Sequence, residues 1–156
     1  CGPCGPCAAS ADTNRTTRFT YTPDGQQATL VAENGRTGDQ TTTYHYGTTL
    51  TDSAIATSTL LRSIAYPDST GSNDRVWLTY NRQGQRVTTT DQRGCVHTYE
   101  YDKLGRLTDD RVTTLGTNVD GRVRRLGVAY EVRGLPQLLT SYDAESLSGG
   151  TVLNQA

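Results

Sequence analysis

Methionine is absent from the chain, lysine occurs once (Lys103), and phenylalanine and tryptophan occur once each (Phe19, Trp77). Without methionine no initiator residue survives, so the expectation is a processed product or an excerpt of a longer chain. Leu, Ile, Val and Phe together make only 27 of 156 residues. So little aliphatic surface cannot fill a deep core, and the composition borders on that of disordered chains. Disorder usually also needs a high net charge, whereas 15 basic against 16 acidic residues leave −1. That balance, with basic residues spread out and a pI of about 6.1, argues against a broad electrostatic nucleic-acid surface. The apolar runs are only a few residues long, which leaves no candidate membrane span.

Threonine fills the space the aliphatics leave, at 27 residues, beside 16 glycines and 9 tyrosines. β-branching favours strands over helices. Fourteen arginines replace the missing lysines. A guanidinium keeps its charge and stacks flat on tyrosine faces, which suits exposed β surfaces. The expected fold is all-β.

The order of residues adds a repeat. Residues 19–30, 77–90, 98–112 and 128–142 share one design, in which a tyrosine closes a strand, a glycine follows four positions later, and a second strand leaves. The pairs are Tyr21/Gly25, Tyr80/Gly84, Tyr101/Gly105 and Tyr130/Gly134. Glycine accepts positive φ without steric cost and the polar residues before it suit a tight turn. Second turns are expected at Glu33-Asn34-Gly35, Gln92-Arg93-Gly94 and Val119-Asp120-Gly121, since Asn-Gly and Asp-Gly are strong hairpin signals. Each unit reads strand–turn–strand–turn over roughly 20 to 30 residues, the mark of a repeat whose units rely on neighbours to bury their apolar faces. Residues 50–66 break the rhythm. Either a helix capped by Thr51 or Asp52 or strand with an irregular loop fits them, and the strand reading is preferred. Residues 67–74 read as a loop, and Thr151–Leu153 as a short strand after the Gly149-Gly150 pair. The organisation read from the chain is a Cys/Gly/Pro leader (1–18), a hairpin strip (19–143) and a tail segment (144–156).

The segment around Tyr101-Asp102, Gly105-Arg106 and Leu107 strongly resembles the RHS repeat, also called the YD repeat. Looser copies are Tyr80-Asn81 with Gly84 and Arg86, Tyr21-Thr22 with Gly25, and Tyr130-Glu131 with Gly134. The likeness spans roughly residues 19 to 143. It implies a strip of antiparallel β-hairpins of the kind that spirals into a hollow shell, enclosing a toxic segment in bacterial toxins and serving adhesion in teneurins. It also implies a secreted or cell-surface setting. The family's self-cleaving core with its Asp-Pro signature is not visible in this sequence, so the resemblance carries over no catalytic residue. A strip this short leaves edge strands with unpaired backbone groups, a template for adding another chain. The leading expectation is therefore a non-enzymatic extracellular subunit that polymerises head-to-tail with copies of itself through strand edges, termini and disulfides. The alternative is a segment of a larger RHS shell that encloses a toxin or mediates adhesion.

Three further features bear on chemistry. The opening CGPCGPC (Cys1, Cys4, Cys7) resembles two overlapping thioredoxin-type CGPC motifs, but no helix or α/β pattern follows to lower a thiol pKa. The same spacing resembles metal or iron–sulfur ligation, with Cys95 or His97 as a fourth ligand, but lacks an acidic second shell. Cys1 as the first residue also has a reading as a lipid-anchored N-terminus. The simplest expectation is disulfide or cross-link formation among Cys1, Cys4, Cys7 and Cys95, within one copy or between copies. His45 and His97 sit in Tyr/Thr strands without a nucleophile context, and Asp109-Asp110 read as turn formers. Asn14-Arg15-Thr16 matches a glycosylation sequon by pattern. No catalytic residue, cofactor or metal is expected, while the Tyr/Arg surface leaves room for a carbohydrate or other surface ligand.

Overall fold

The computed structural model describes residues 16–72 and 74–156. They form one open antiparallel sheet of eleven strands in strict sequence order. The strands are β1 (Thr17–Tyr21), β2 (Gln27–Ala32), β3 (Gln40–Thr48), β4 (Thr57–Ala65), β5 (Val76–Tyr80) and β6 (Arg86–Thr90), followed by β7 (Val96–Tyr101), β8 (Leu107–Thr114), β9 (Arg125–Tyr130), β10 (Pro136–Tyr142) and β11 (Val152–Gln155). The all-β strip with open margins is thus present. β1 begins two residues before the expected start at Phe19, and the tail strand sits one to two residues later than expected. Residues 50–66 resolve into an irregular loop and strand β4, without a helix.

One turn recurs between strands. In each of five turns, opened by Thr22, Asn81, Asp91, Asp102 and Glu131, the N–H of that opening residue donates to the carbonyl four positions on. The N–H of the turn glycine (Gly25, Gly84, Gly94, Gly105, Gly134) donates back to the opening carbonyl. All five glycines have φ between +76° and +90°, the left-handed conformation that closes a three-residue hairpin loop with a bulge. The expected Asn34-Gly35 and Asp120-Gly121 turns are built differently. Gly38 carries the positive φ in the first loop and Asn118 (φ 59°) in the second. Asn34 and Asp120 act instead through their side chains, each accepting from the N–H two residues on.

A single sheet has no second layer to pack against, and the core is correspondingly thin. Among the described residues only Val31, Leu78, Tyr80 and Cys95 are buried hydrophobics, and Ser63 is the one fully buried side chain. Two loops fold back to supply cover. In residues 49–56 the Ala54 N–H donates to the Tyr80 carbonyl and Ser53 Oγ accepts from the Tyr80 N–H. In residues 143–151 the Glu145 carboxylate meets Arg124 at 2.7 Å and the Leu147 carbonyl accepts from Arg125 at 2.9 Å.

Ladder lengths are uneven. β7 and β8 share six paired positions, whereas β4 and β5 share only Ser63↔Trp77 and Ile64↔Val76. The β4–β5 seam is therefore held mainly by side chains. Tyr80 donates from its hydroxyl to the Leu61 carbonyl at 2.7 Å, the Arg62 guanidinium lies 5.6 Å from the Trp77 ring centre, and Trp77 Nε1 donates to the Ser72 carbonyl.

Candidate functional site: the ladder between hairpins and the sheet margins

The repeat residues do one job in common: they join each hairpin to the one before it. Tyr80, Tyr101 and Tyr130 close β5, β7 and β9 and donate from their hydroxyls to the carbonyls of Leu61, Arg86 and Leu107 on the preceding strands, at 2.7, 2.7 and 2.8 Å. Arg86 and Leu107 each stand two residues past a turn glycine, Gly84 and Gly105. Burial raises the Tyr80 and Tyr101 phenol pKa values above their ordinary 10.0, with the nearby Arg86 charge opposing. Both phenols therefore keep the proton that makes the bond.

Contacts also run forward. The Gln85 side-chain amide donates to the Gly105 carbonyl of the next turn at 2.9 Å. Arg106, in the equivalent turn position, spreads its guanidinium 4.4 Å from the Tyr130 ring centre and lies against Gly134. Arg86 stacks on Tyr99 at 4.5 Å and Arg125 on Tyr142 at 3.7 Å. The arginine-for-lysine bias thus serves stacking between neighbouring strands. Within the turn, Asp102 Oδ1 accepts from the Leu104 and Arg106 N–H groups while Oδ2 takes the Arg106 side chain at 2.7 Å. Those bonds, the Arg106 N–H foremost, hold its carboxyl below the usual 3.8. Asn81 and Asp91 make the same pair of backbone bonds.

At the first margin the pattern stops. Tyr21 closes β1 like its counterparts, yet it is 64% exposed and every residue of β1 is exposed. Among the described residues no strand lies beyond β1. At the other margin β11 pairs with Thr140–Tyr142, and Leu139 exchanges backbone bonds with Ala156. Pro136, Gln137 and Leu138 have no described partner on that side. Exposed apolar side chains gather at both margins: Phe19 and Tyr21 at one, Leu135, Leu139, Val152 and Leu153 at the other.

The cysteine expectation meets the structure at one residue. Cys95 is buried and in no disulfide among the described residues, and its Sγ accepts from the Gly116 N–H at 3.1 Å. Cys1, Cys4 and Cys7, with the Asn14 sequon, lie outside the described residues. Among the described residues no group of three or more His, Cys, Asp or Glu is placed to hold a metal ion, and no helix is long and apolar enough to cross a membrane.

Several arrangements were not foreseen. Asp109 and Asp110 are mid-strand residues of β8 rather than turn formers: Asp110 Oδ1 lies 2.7 Å from His97 Nδ1, and Asp109 faces Arg125 at 3.7 Å. The alternation of β8 in the sequence hid this, because the cross-strand partner lies 13 residues away. The turn expected at Gln92-Arg93-Gly94 is present as Asp91–Gly94; what was not foreseen is that it repeats the bonds of the tyrosine turns, with Thr90 where they carry tyrosine. Its Asp-x-x-Gly spacing was the available signal. His45, in β3, has its pKa lowered by burial and by the Arg75 charge.

Compared with known proteins, the chain matches no family model and no curated sequence.

Proposed function

We propose that this chain is a non-enzymatic structural protein of the RHS/YD-repeat type, a secreted or surface-displayed building block that adds to further copies at its sheet margins and so grows into a fibre or tube. The observation that carries the reading is the contrast between Tyr21 and its counterparts. Three repeat tyrosines each tie a hairpin to its predecessor, and the fourth stands exposed at a margin bearing the same residues. Edge strands with free backbone groups recruit other strands, and head-to-tail addition builds an open filament unless the rotation closes. The thin core supports the same reading, since burial that one copy lacks is supplied by the next. A strip within a longer RHS shell is the second reading. The placement of β11 favours it, because β11 adds to β10 antiparallel, as the first strand of another hairpin would.

Electron microscopy of the purified chain across a concentration series tests the reading. Filaments or tubes are expected. Discrete monomers at the highest concentration would remove the fibre, and closed hollow particles from a longer parent chain would favour the shell.

A further inference from the structure

One edge of the described sheet is complementary to itself. On β1 the bonds to β2 run from the Thr16 carbonyl, which accepts from the Glu33 N–H, to the Thr22 N–H, which donates to the Gln26 carbonyl. Hydrogen-bonded residues alternate along an antiparallel pair. The extra residue of the bulge lies on the β2 side, where Thr20↔Thr29 is followed by Tyr21↔Gln27, so the alternation of β1 is unbroken. Thr17, Phe19 and Tyr21 therefore turn their N–H and carbonyl groups away from β2, to the side where no described strand lies. A two-fold axis through Phe19, normal to the sheet, sets these residues against their own counterparts. Thr17 then stands opposite Tyr21 of the second copy and Phe19 opposite Phe19, each pair placed to exchange both backbone bonds. No other register pairs all three. We infer that two copies join through an isologous, antiparallel β1–β1 contact centred on Phe19. This deepens the self-assembly reading and rests on it.

The side chains fit the same axis. Alternation puts Phe19 and Tyr21 on one face, and they are 46% and 64% exposed. The contact brings the two Phe19 residues together at the axis and sets each Tyr21 beside a Thr17, an aromatic and β-branched cross-strand pair. On the opposite face Arg18 stands across from Thr20, and its charge is already met by Glu33 of its own copy at 3.1 Å, so no like charges meet. The axis also makes each face of one copy continuous with the same face of the other. The other margin is a poorer template. β11 has four residues. Leu139 and Ala156 exchange backbone bonds, which turns Gln155 outward, and the Gln155 N–H is taken by the Asn154 side chain at 2.8 Å. A symmetric pair consumes both β1 margins and presents a β11 margin at each end, from which any longer assembly grows.

Cysteine pairing reads the register. Residues directly opposite in a hydrogen-bonded pair lie about 5.5 Å apart at Cα, within disulfide range, and residues two or more positions out of register lie beyond it. The native chain is measured by multi-angle light scattering over a concentration series under reducing conditions. Single-cysteine edge variants, made with Cys1, Cys4 and Cys7 replaced by serine and Cys95 left buried, are then oxidised and separated by non-reducing electrophoresis. Circular dichroism confirms retained β structure in each. The native mass is expected to rise from monomer to dimer with concentration. Phe19→Cys alone is expected to give a covalent dimer. Thr17→Cys and Tyr21→Cys are each expected to give none alone and a covalent dimer when mixed. If the native chain associates but Phe19→Cys does not cross-link, or the mixture does not, or either of the other two variants cross-links with itself, this contact is wrong and assembly uses another surface. If the native chain is monomeric throughout, both the contact and the self-assembly reading fall.

Discussion

The opening residue of each turn shows how one side chain sets the local geometry. Asn81, Asp91 and Asp102 are short enough for Oδ1 to reach the N–H groups two and four residues on. Glu131, one methylene longer, turns aside to pair with Arg133 at 3.0 Å. Asn81→Ala is expected to cost roughly 1–2 kcal/mol by removing two backbone-capping bonds, Asn81→Asp to cost about 0.5–1 kcal/mol because it keeps those bonds but loses the Nδ2 donation to Gln85 Oε1, and Glu131→Asp to stabilise by about 0.5 kcal/mol by restoring the pattern; urea unfolding of the three variants checks the order and the opposite sign. Protonation acts at the same scale. Burial and the Arg75 charge depress His45 below its ordinary 6.5, so the unfolded chain takes up a proton first and stability falls as pH descends below that value. Asp102 is depressed by its turn bonds from 3.8. At Asp52 burial pushes upward, but the Thr49 N–H and hydroxyl with the Arg62 charge outweigh it. These carboxylates contribute stability above their unfolded pKa that is lost as pH falls through the lower folded one. The thermal midpoint is therefore expected to decline in two stages on acidification. His45→Gln flattens the stage beginning below 6.5, and Asp102→Asn shrinks the one beginning below 3.8.

Among the elements, strands and repeat turns were the legible part, because a Tyr, a turn glycine and alternating Thr are all local signals. What escaped the sequence was whatever depends on pairing across strands: the His97–Asp110 contact and the loops of residues 49–56 and 143–151 that cover β5 and β9. The seam lengths were equally invisible, and they decide which tyrosine matters most. Across β4–β5, where two ladder pairs remain, the Tyr80 hydroxyl bond to Leu61 is partly buried. Across β6–β7, with three ladder pairs, the corresponding Tyr101 bond is exposed. Tyr80→Phe strands a carbonyl with little access to water and is expected to cost roughly 1–3 kcal/mol, whereas Tyr101→Phe leaves an acceptor that water can reach and costs about 0.5–1 kcal/mol. Amide exchange should localise the first loss to β4 and β5. Equal losses for the two variants would show that ladder length does not weight these bonds.

For the molecule as a whole, a one-layer sheet has to find its cooperativity along the strip rather than through a central core. Each hairpin is stabilised chiefly by its two neighbours, as in other linear repeats, and the terminal strands have one neighbour each among the described residues. β1 and β11 are each exposed along their whole length, which makes each terminal strand a place where the described sheet frays first. A second copy docked on β1 supplies the missing neighbour, and mass action converts that into stability that grows with protein concentration. The midpoint of thermal unfolding of the native chain is therefore expected to rise over a hundred-fold concentration range, and protection of the β1 amides to rise with it. The same series on a chain carrying Phe19→Pro, which removes an N–H that points away from β2, should give a midpoint that no longer rises, because the β1 margin can then not be completed. A native midpoint independent of concentration would mean that the strip already holds its ends by itself, and the margins would then need no partner to explain them.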